Sequence, residues 1–272
     1  MYRYIFLLLL PLLSNCNLFE EEVIAVEEVD EYAHILLGNP SDAQENELVI
    51  RNYLSLKEQY ALGYDGARGL ATWVSWHLDA SWLGAVGRTD EFVVDFSIPP
   101  SITRSSSSDY SSSGFNRGHN CPSADRTVTR ADNAATFLMS NIIPQAPNHN
   151  QGLWREMEEF CRNRVRRDNK ELYVIMGNYG EGGEGSRGRE SRIGNDDRVA
   201  VPAYIWKVAV IIDNGSDDLF RIDEETRVVA VLSPNKNRNL KEWQDYRVSV
   251  DEIEKETGLD LLSELPDDIE AI

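Results

Sequence analysis

The chain has 272 residues, of which 42% are hydrophobic and 27% charged; this is the composition of a globular protein with a sizeable core, and it excludes a disordered chain. Its net charge of −19 argues, taken as a whole, against a nucleic-acid partner, because proteins that bind phosphate groups usually present a basic surface. The acids lie mainly at the two ends, however: residues 20–47 contain ten acids and no Lys or Arg, whereas residues 102–170 contain ten basic residues against seven acids.

The first residues have the pattern of an export signal. Arg3 precedes an apolar run from Tyr4 to Leu13 that is too short to span a bilayer as a helix. The run ends in LSNC, similar to a bacterial lipoprotein signal, in which the cysteine carries lipid. We expect a signal peptide over 1–15, a lipidated Cys16 that anchors an exported cell-envelope protein to a membrane on its periplasmic or surface face, an acidic tether over 16–33 and a folded domain over 34–272. An ordinary cleaved signal with a chance cysteine is the alternative.

The predicted elements are strands with a few helices among them. Strands are predicted at 70–78, 91–96, 171–177, 201–212 and 227–235; helices are predicted at 131–138 and 153–167; and residues 246–265 are predicted to form a short strand and a helix. Residues 52–60 fit a short helix or an irregular segment, and the glycine-rich stretch 180–188 fits a mobile surface loop. The hairpin-like spacing predicts an α+β fold with a mixed or antiparallel central sheet flanked by helices, in one domain.

Cys121 and Cys161 leave two interpretations open. In an exported protein a disulfide between them is permitted, whereas a thiol nucleophile needs an activating histidine or a positive helix end. The histidines and cysteines do not have the short spacing of a zinc finger. We expect His34 and His77 to be structural.

Two polar segments are candidates for a functional site: FNRGHNCPSADR, from Phe115 to Arg126, and NIIPQAPNHNQGLWREME, which begins at Asn141. An imidazole can take a proton from water near neutral pH. Amide and carboxylate oxygens suit a hard divalent cation, and arginines neutralise phosphate. This combination of side chains fits phosphodiester hydrolysis, although RGH alone is more often ordinary polar surface.

Together the two segments resemble the DNA/RNA non-specific endonuclease family, whose site is a ββα-metal motif. The specific features are RGH followed by the N-x8-N-x3-W-x3-E spacing of Asn141, Asn150, Trp154 and Glu158. The similarity extends over nearly the whole chain after the signal. It implies a ββα-metal motif within the α+β fold, hydrolysis of DNA and RNA, and dependence on Mg²⁺ or Mn²⁺.

The resemblance also implies roles for individual residues. By position, His119 corresponds to the general base, and Asn150 corresponds to the direct protein ligand of the cation. Glu158 corresponds to a glutamate that orients the water around that cation. Trp154 is expected to pack inside the helix, and His149 to face away or to touch substrate.

Three further positions follow from the same resemblance. Arg88 and Arg117 correspond to arginines that grip the phosphate, and Asn141 to an amide with a supporting role near the site. The family usually has Asp before RGH, where this chain has Asn116. Because an amide raises the basicity of an imidazole less than a carboxylate does, a second hypothesis is a catalytically weakened, lipid-anchored nucleic-acid-binding protein on the same fold. A purely structural envelope lipoprotein leaves the ordered polar residues unexplained.

Overall fold

The computed structural model describes residues 33–266 and residue 269. The expected signal peptide, Cys16 and residues 16–32 of the expected tether lie outside this range, so the assignments made for them stay predictions. Among the described residues, no helix is long and apolar enough to cross a membrane.

The described chain contains strands of 2 to 10 residues and few helices. The strands are β1 Tyr53–Leu56, β2 Ala61–Asp65, β3 Leu70–Leu78, β4 Asn116–His119, β5 Ile142–Gln145, β6 Lys170–Tyr179, β7 Gly183–Gly185, β8 Gly188–Glu190, β9 Arg192–Ile193, β10 Val199–Ala200, β11 Tyr204–Asp213, β12 Arg227–Pro234 and β13 Arg247–Val248. The α-helices are α1 Arg130–Ala135, α2 Arg155–Asp168 and α3 Val250–Thr257, and a π-helix, His149–Trp154, leads into α2. Short 3-10 helices lie at Ala33–Ile35, Ala80–Trp82, Ser107–Tyr110, Ser123–Asp125, Met139–Asn141, Asn195–Asp197, Asp218–Arg221 and Trp243–Tyr246.

A seven-stranded sheet in the order β1-β2-β3-β6-β11-β12-β13 forms the centre of the molecule, and every neighbouring pair is antiparallel. The middle strands β6 and β11 are buried along almost their whole length. Burial on both faces requires a layer on each side of the sheet. The predicted α+β fold with a central sheet flanked by helices is confirmed.

Two apolar cores fill the spaces on either side of this sheet. The first joins the sheet to β5 and α2, where Met157, Cys161 and Val165 recur at four-residue intervals and form the buried stripe of the helix. The second joins the sheet to α3 through Val250 and Ile253. The segments with the candidate site residues therefore lie on one face of the sheet, and α3 lies on the other.

Three predictions about elements were wrong. Residues 91–96 form no strand: Val93 makes one isolated bridge to Leu138, and the buried Asp95 binds Lys57 at 2.9 Å. Residues 52–60 hold strand β1, because that segment folds back against β2 as a hairpin. Part of the predicted glycine-rich loop is the hairpin β7–β8.

The structure supports neither of the two interpretations of the cysteines. Cys121 and Cys161 are both buried free thiols, so no disulfide joins them. Burial raises the pKa of each thiol to about 12. A thiol with so high a pKa is protonated at neutral pH and is not an activated nucleophile.

Candidate active site

The RGH segment lies on strand β4. β4 pairs with β5 so that His119 lies opposite Ile142, and the chain then passes through the π-helix into α2. Gly118 is needed for this pairing, because a Cβ at that position would lie 2.1 Å from Oε1 of Gln145. The two strands and the helix form the predicted ββα unit.

A cleft of about 600 Å³ opens between these elements. It brings together five of the six residues predicted to act in catalysis or metal binding: Arg88, Arg117, His119, Asn150 and Glu158. Asn116 also lines the cleft. The remaining lining residues had been given no individual role from the sequence: Phe92, Tyr110, Phe115, Pro122, Ser123, Ala124, Gln151 and Arg155.

His119 is held in an apolar corner of the cleft. Its ring lies 4.8 Å from that of Phe137, edge to face, and 5.6 Å from that of Phe92. The side-chain Nε2 is buried and has no hydrogen-bond partner among the described residues. Burial, with a smaller contribution from the Arg88 guanidinium, lowers the pKa of the imidazole from 6.5 to about 3. The ring is therefore neutral at physiological pH, with a nitrogen free to accept a proton.

The same two phenylalanine rings hold both predicted arginines. The Arg88 guanidinium lies 4.8 Å above the Phe137 ring and bonds Asp90, and the Arg117 guanidinium lies 4.5 Å above the Phe92 ring and donates to Ser107. Stacking fixes a guanidinium plane and leaves N–H groups at its edge for an anion.

Asn150 and Glu158 supply oxygen atoms from the other wall. The backbone N–H of Asn150, in the first turn of the π-helix, donates to the carbonyl of Ala146, four residues earlier, at 2.9 Å. Single π-turns are frequent at functional sites. Burial raises the pKa of the Glu158 carboxyl, and the charges of Lys207 and Arg162 oppose that shift.

An ion-pair network behind Glu158 was missed by the sequence analysis. Arg162 forms a buried ion pair with Asp125 at 2.8 Å and lies 3.9 Å from Glu158, four residues earlier on the helix. The indole of Trp76 donates to Asp125 at 3.1 Å. Lys207 is buried beside them, above the rings of Trp76 and Trp154. The i,i+4 spacing of Glu158 and Arg162 was a visible signal.

Asn141 lies behind the cleft wall. It is fully buried; its Oδ1 accepts from the backbone N–H of Cys121, and its Nδ2 donates to the carbonyls of Cys121 and Thr136, each at 2.9 Å. With both amide groups used in this way, Asn141 fixes the chain just after His119. This geometry fits a positioning role and places the residue outside the cleft itself.

The family profile of DNA/RNA non-specific endonucleases matches residues 37–268. The chain belongs to this family. A nuclease of Nostoc sp. is 42% identical over 96% of this chain and 93% of its own length, and a nuclease of Serratia marcescens is 27% identical over 90% and 85%. The solved structure of an EndoG/EndoGI complex shares the fold, with a TM-score of 0.69 and 23% identity over 87% of this chain and 92% of that one.

The chain is therefore a nuclease, a phosphodiesterase of a family that is typically metal-dependent. His149 of this nuclease faces away from the cleft, which is one of the two orientations expected from the sequence. It is fully buried, receives a hydrogen bond from Gln145 at Nδ1 and contacts Ser233 Oγ through Nε2, both at 2.7 Å. Trp154 packs in the core, with its indole N–H 3.2 Å from the sulfur of Met176.

A second polar cluster of the nuclease lies elsewhere. Among the described residues, His77, Glu171 and Asp218 are the one group of His, Cys and acidic side chains with ligand atoms all within 4.8 Å of one another. Arg221 bonds both carboxylates, so their charge is already compensated. His34 is likewise structural: its ring bonds the carbonyl of Glu58 and the backbone N–H of His77.

Proposed function

We propose that this nuclease hydrolyses both DNA and RNA, with His119 as the general base and Asn150 as the protein ligand of Mg²⁺ or Mn²⁺. The observation that carries the proposal is the buried, unpartnered Nε2 of His119, on the same cleft as the amide of Asn150 and the carboxylate of Glu158. A buried nitrogen without a partner costs free energy unless a ligand or water completes it.

The side chains of the cleft fit a hard divalent cation. Asn150 and Glu158 offer oxygen donors, which Mg²⁺ and Mn²⁺ prefer. The soft thiols of Cys121 and Cys161 are buried in the core and do not line the cleft. Such a cation, when bound, supplies positive charge to the phosphate and to the leaving oxygen. Glu158, fixed by Arg162, would orient water beside Asn150.

The chemical step follows from the protonation state of His119. Its neutral imidazole takes a proton from a water molecule as the water oxygen forms a bond to phosphorus. The P–O3′ bond breaks and the leaving O3′ takes a proton from solvent, so one product carries a 5′-phosphate and the other a 3′-hydroxyl; His119 then releases its proton to solvent. Arg88 and Arg117 neutralise the charge that develops on the phosphate oxygens. A phosphate near the ring raises the pKa of the imidazole, because an anion favours the protonated form, and this makes His119 a stronger base in the complex than in the free nuclease.

Cleavage of plasmid DNA and of RNA, with Mg²⁺, Mn²⁺ or a chelator present, tests the proposal. His119→Ala is expected to lower kcat by a factor of about 10² or more. Asn150→Ala is expected to raise the metal concentration needed for half-maximal rate. Asn148→Ala is the matched control, because Asn148 is exposed, bonds Asn237 and does not line the cleft. Wild-type protein that cuts neither polymer with any divalent ion would contradict the proposal.

The second candidate, a weakened nucleic-acid-binding protein, is favoured by one observation. Asn116 lines the cleft at the position where the family usually has a carboxylate. That candidate would be supported if the wild type binds nucleic acid without cleaving it and if His119→Ala leaves the affinity unchanged. The metal titration separates the two, because a protein that only binds nucleic acid does not need a cation at Asn150.

We also propose that the nuclease is exported and anchored to a membrane of the bacterial envelope through lipid on Cys16. The support is the apolar run that ends in LSNC and the acidic segment after it. Radiolabelled palmitate should enter the wild type and not Cys16→Ser. Equal labelling of the two proteins, or recovery of both in the soluble fraction, would contradict the anchor.

A further inference from the structure

The hairpin β7–β8 lies beside the mouth of the cleft. Both the backbone N–H and the hydroxyl of Ser186, at the hairpin turn, donate to the carbonyl of Gly114, at 2.9 and 3.1 Å. Next to it, Arg187 donates to the carbonyl of Ser112 at 2.7 Å. Since Phe115 and Asn116 line the cleft, the hairpin is attached to the segment that forms the cleft wall.

Two arginines of this hairpin are exposed and take part in no ion pair with the described residues. Arg187 occupies the turn, and Arg189 lies on β8. Neither forms an ion pair with any described residue; Glu184 is opposite Arg189 in the hairpin register but does not pair with it. By contrast, Arg192, a little further on, is paired with an acidic side chain. In a chain with a net charge of −19, exposed guanidiniums without acidic partners attract an anion from outside the protein.

The position of the hairpin indicates what that anion is. His119 follows Gly114 by five positions, a span of at most about 16 Å if the chain is extended. Successive phosphates of one strand are about 3.4 Å apart along a duplex, so the hairpin lies at most about five phosphates from the proposed base. Arg117 lies between the two along the same wall. The spacing suits one continuous strand that passes from the cleft to the hairpin.

We propose that Arg187 and Arg189 form a second contact for the phosphate backbone of the substrate, outside the cleft. The inference rests on the proposed function, in which the substrate is a nucleic acid cut at His119. The contact is independent of base sequence, because contacts with phosphates carry no direct sequence information. It makes the nuclease bind long strands more tightly than fragments that end inside the cleft.

Binding of labelled oligonucleotides tests the contact in a His119→Ala background, which keeps the substrate intact. Fluorescence anisotropy is measured in Mg²⁺ with a 6-base-pair and a 30-base-pair duplex, at 50 and 200 mM NaCl. Arg187→Gln/Arg189→Gln is compared with Arg227→Gln/Arg247→Gln. The control removes two exposed arginines from β12 and β13, at an edge of the sheet away from the cleft. Glutamine at position 187 keeps a donor for the carbonyl of Ser112.

For the 30-base-pair duplex, loss of two phosphate contacts should reduce the slope of log Kd against log salt by about 2. The increase in Kd between 50 and 200 mM salt should therefore be about tenfold smaller in the hairpin variant than in the control. The preference for the long duplex over the short one should fall in the hairpin variant and remain in the control.

Equal slopes and equal length preference in the two double variants would overturn the inference. If wild-type protein cleaves while the slopes are equal, only the hairpin contact fails. If wild-type protein does not cleave but the hairpin variant loses its slope, the proposed function fails and the contact stands. No binding of either duplex in any background overturns both.

Discussion

Two phenylalanines give the cleft its chemistry at the scale of single residues. Phe137 contacts the ring of His119 and lies under the guanidinium of Arg88; Phe92 contacts the same imidazole and lies under Arg117. The rings exclude water from the imidazole, which is the main reason for its low pKa. Phe137 also holds Arg88 close to the imidazole, and the charge of that guanidinium lowers the pKa of His119 further.

Asn116→Asp is expected to change the pH dependence of cleavage. The new carboxylate at the cleft favours the protonated form of His119 and thereby raises its pKa, by about half a unit if the interaction is partly screened. Because His119 must be unprotonated to act as a base, the acidic limb of the kcat/KM profile should move to higher pH by the same amount. The measurement is kcat/KM for plasmid cleavage from pH 2.5 to 7, a range that includes the pKa of about 3 of the imidazole.

Asn148→Asp is the matched control for that change, since it adds the same charge at an exposed position outside the cleft. Its acidic limb should coincide with that of the wild type. A profile for Asn116→Asp that also coincides with the wild type would show that this position does not influence the base.

The five predicted residues that line the cleft could be found in the sequence for two reasons. Four lie in two short segments with family-specific spacing, and Arg88 lies just before an apolar run. The aromatic residues that complete the cleft could not be found in this way. Phe92 and Phe137 are far from RGH in the chain and have no distinctive pattern around them. Their contacts with His119 exist only after the segment 91–96 folds against the chain that follows α1.

At the scale of elements, α2 is held in the site by apolar packing and by a buried ion pair. Its C-terminal half is anchored in the core through Cys161 and Val165, while its first turns carry Glu158 into the cleft. The pair of Arg162 and Asp125 ties this helix to the loop that follows β4. The proposed base and the proposed cation ligands come from different elements, so this tie sets the distance between them.

Asp125→Asn is expected to lower both stability and activity. Arg162 would lose the ion pair of 2.8 Å in a buried position, and removal of one partner of such a pair costs about 3 kcal/mol or more. Arg162 would then turn toward Glu158, its remaining acidic neighbour at 3.9 Å, and shift that carboxylate. Urea unfolding measures the first effect, and kcat with saturating Mg²⁺ measures the second.

The control for that variant is Asp168→Asn, which breaks the more exposed pair of Arg164 and Asp168 on the same helix. Exposed pairs of this kind contribute less than about 1 kcal/mol, and this one is at the end of α2 away from Glu158. A loss of stability in Asp125→Asn no larger than in Asp168→Asn would rule out the ion pair as the anchor of α2.

The strand expected at 91–96 shows where element prediction fails. Val93 and Val94 have the local preference of a strand, but Asp95 is buried and bonds Lys57 and Ser140. Those contacts direct the segment over the edge of the cleft instead of into the sheet. The long strands β3, β6, β11 and β12 were found at nearly their observed bounds, because a continuous apolar run matches a buried strand whatever lies next to it.

At the scale of the whole molecule, net charge is a poor guide to the partner of this nuclease. The cleft has Arg88, Arg117 and Arg155 against one acidic residue, Glu158, although the chain as a whole carries −19. Charges beyond about 10 Å are screened at physiological ionic strength. The local set of side chains, and not the total, decides which ligand binds.

Three buried histidines should make the folded state sensitive to acid. Burial is the main cause that lowers the pKa of His34, His119 and His149 from 6.5 to about 3. Between pH 6.5 and pH 3 the unfolded chain binds protons on these imidazoles that the folded chain does not. The free energy of unfolding is therefore highest above pH 6.5 and falls as the pH drops. Each histidine should remove about 2 kcal/mol between pH 7 and pH 5. Burial raises the pKa of Glu158 above its usual 4.5. Above pH 4.5 the folded state therefore holds a proton on Glu158 more tightly than the unfolded chain does, and this contribution to stability falls as the pH rises.

Urea unfolding at pH 5, 6 and 7 measures this dependence. Near pH 5 the free energy of unfolding should change by about 1.4 kcal/mol per pH unit for each histidine. His149→Gln, which keeps polar atoms for Gln145 and Ser233, should lower the slope by one proton even if it lowers stability at pH 7. The comparison of slopes separates titration from packing, because a lost contact shifts the free energy equally at every pH. If the free energy of unfolding of the wild type changes by less than the amount expected for one proton, these imidazoles become protonated inside the folded nuclease. Their burial opposes that protonation.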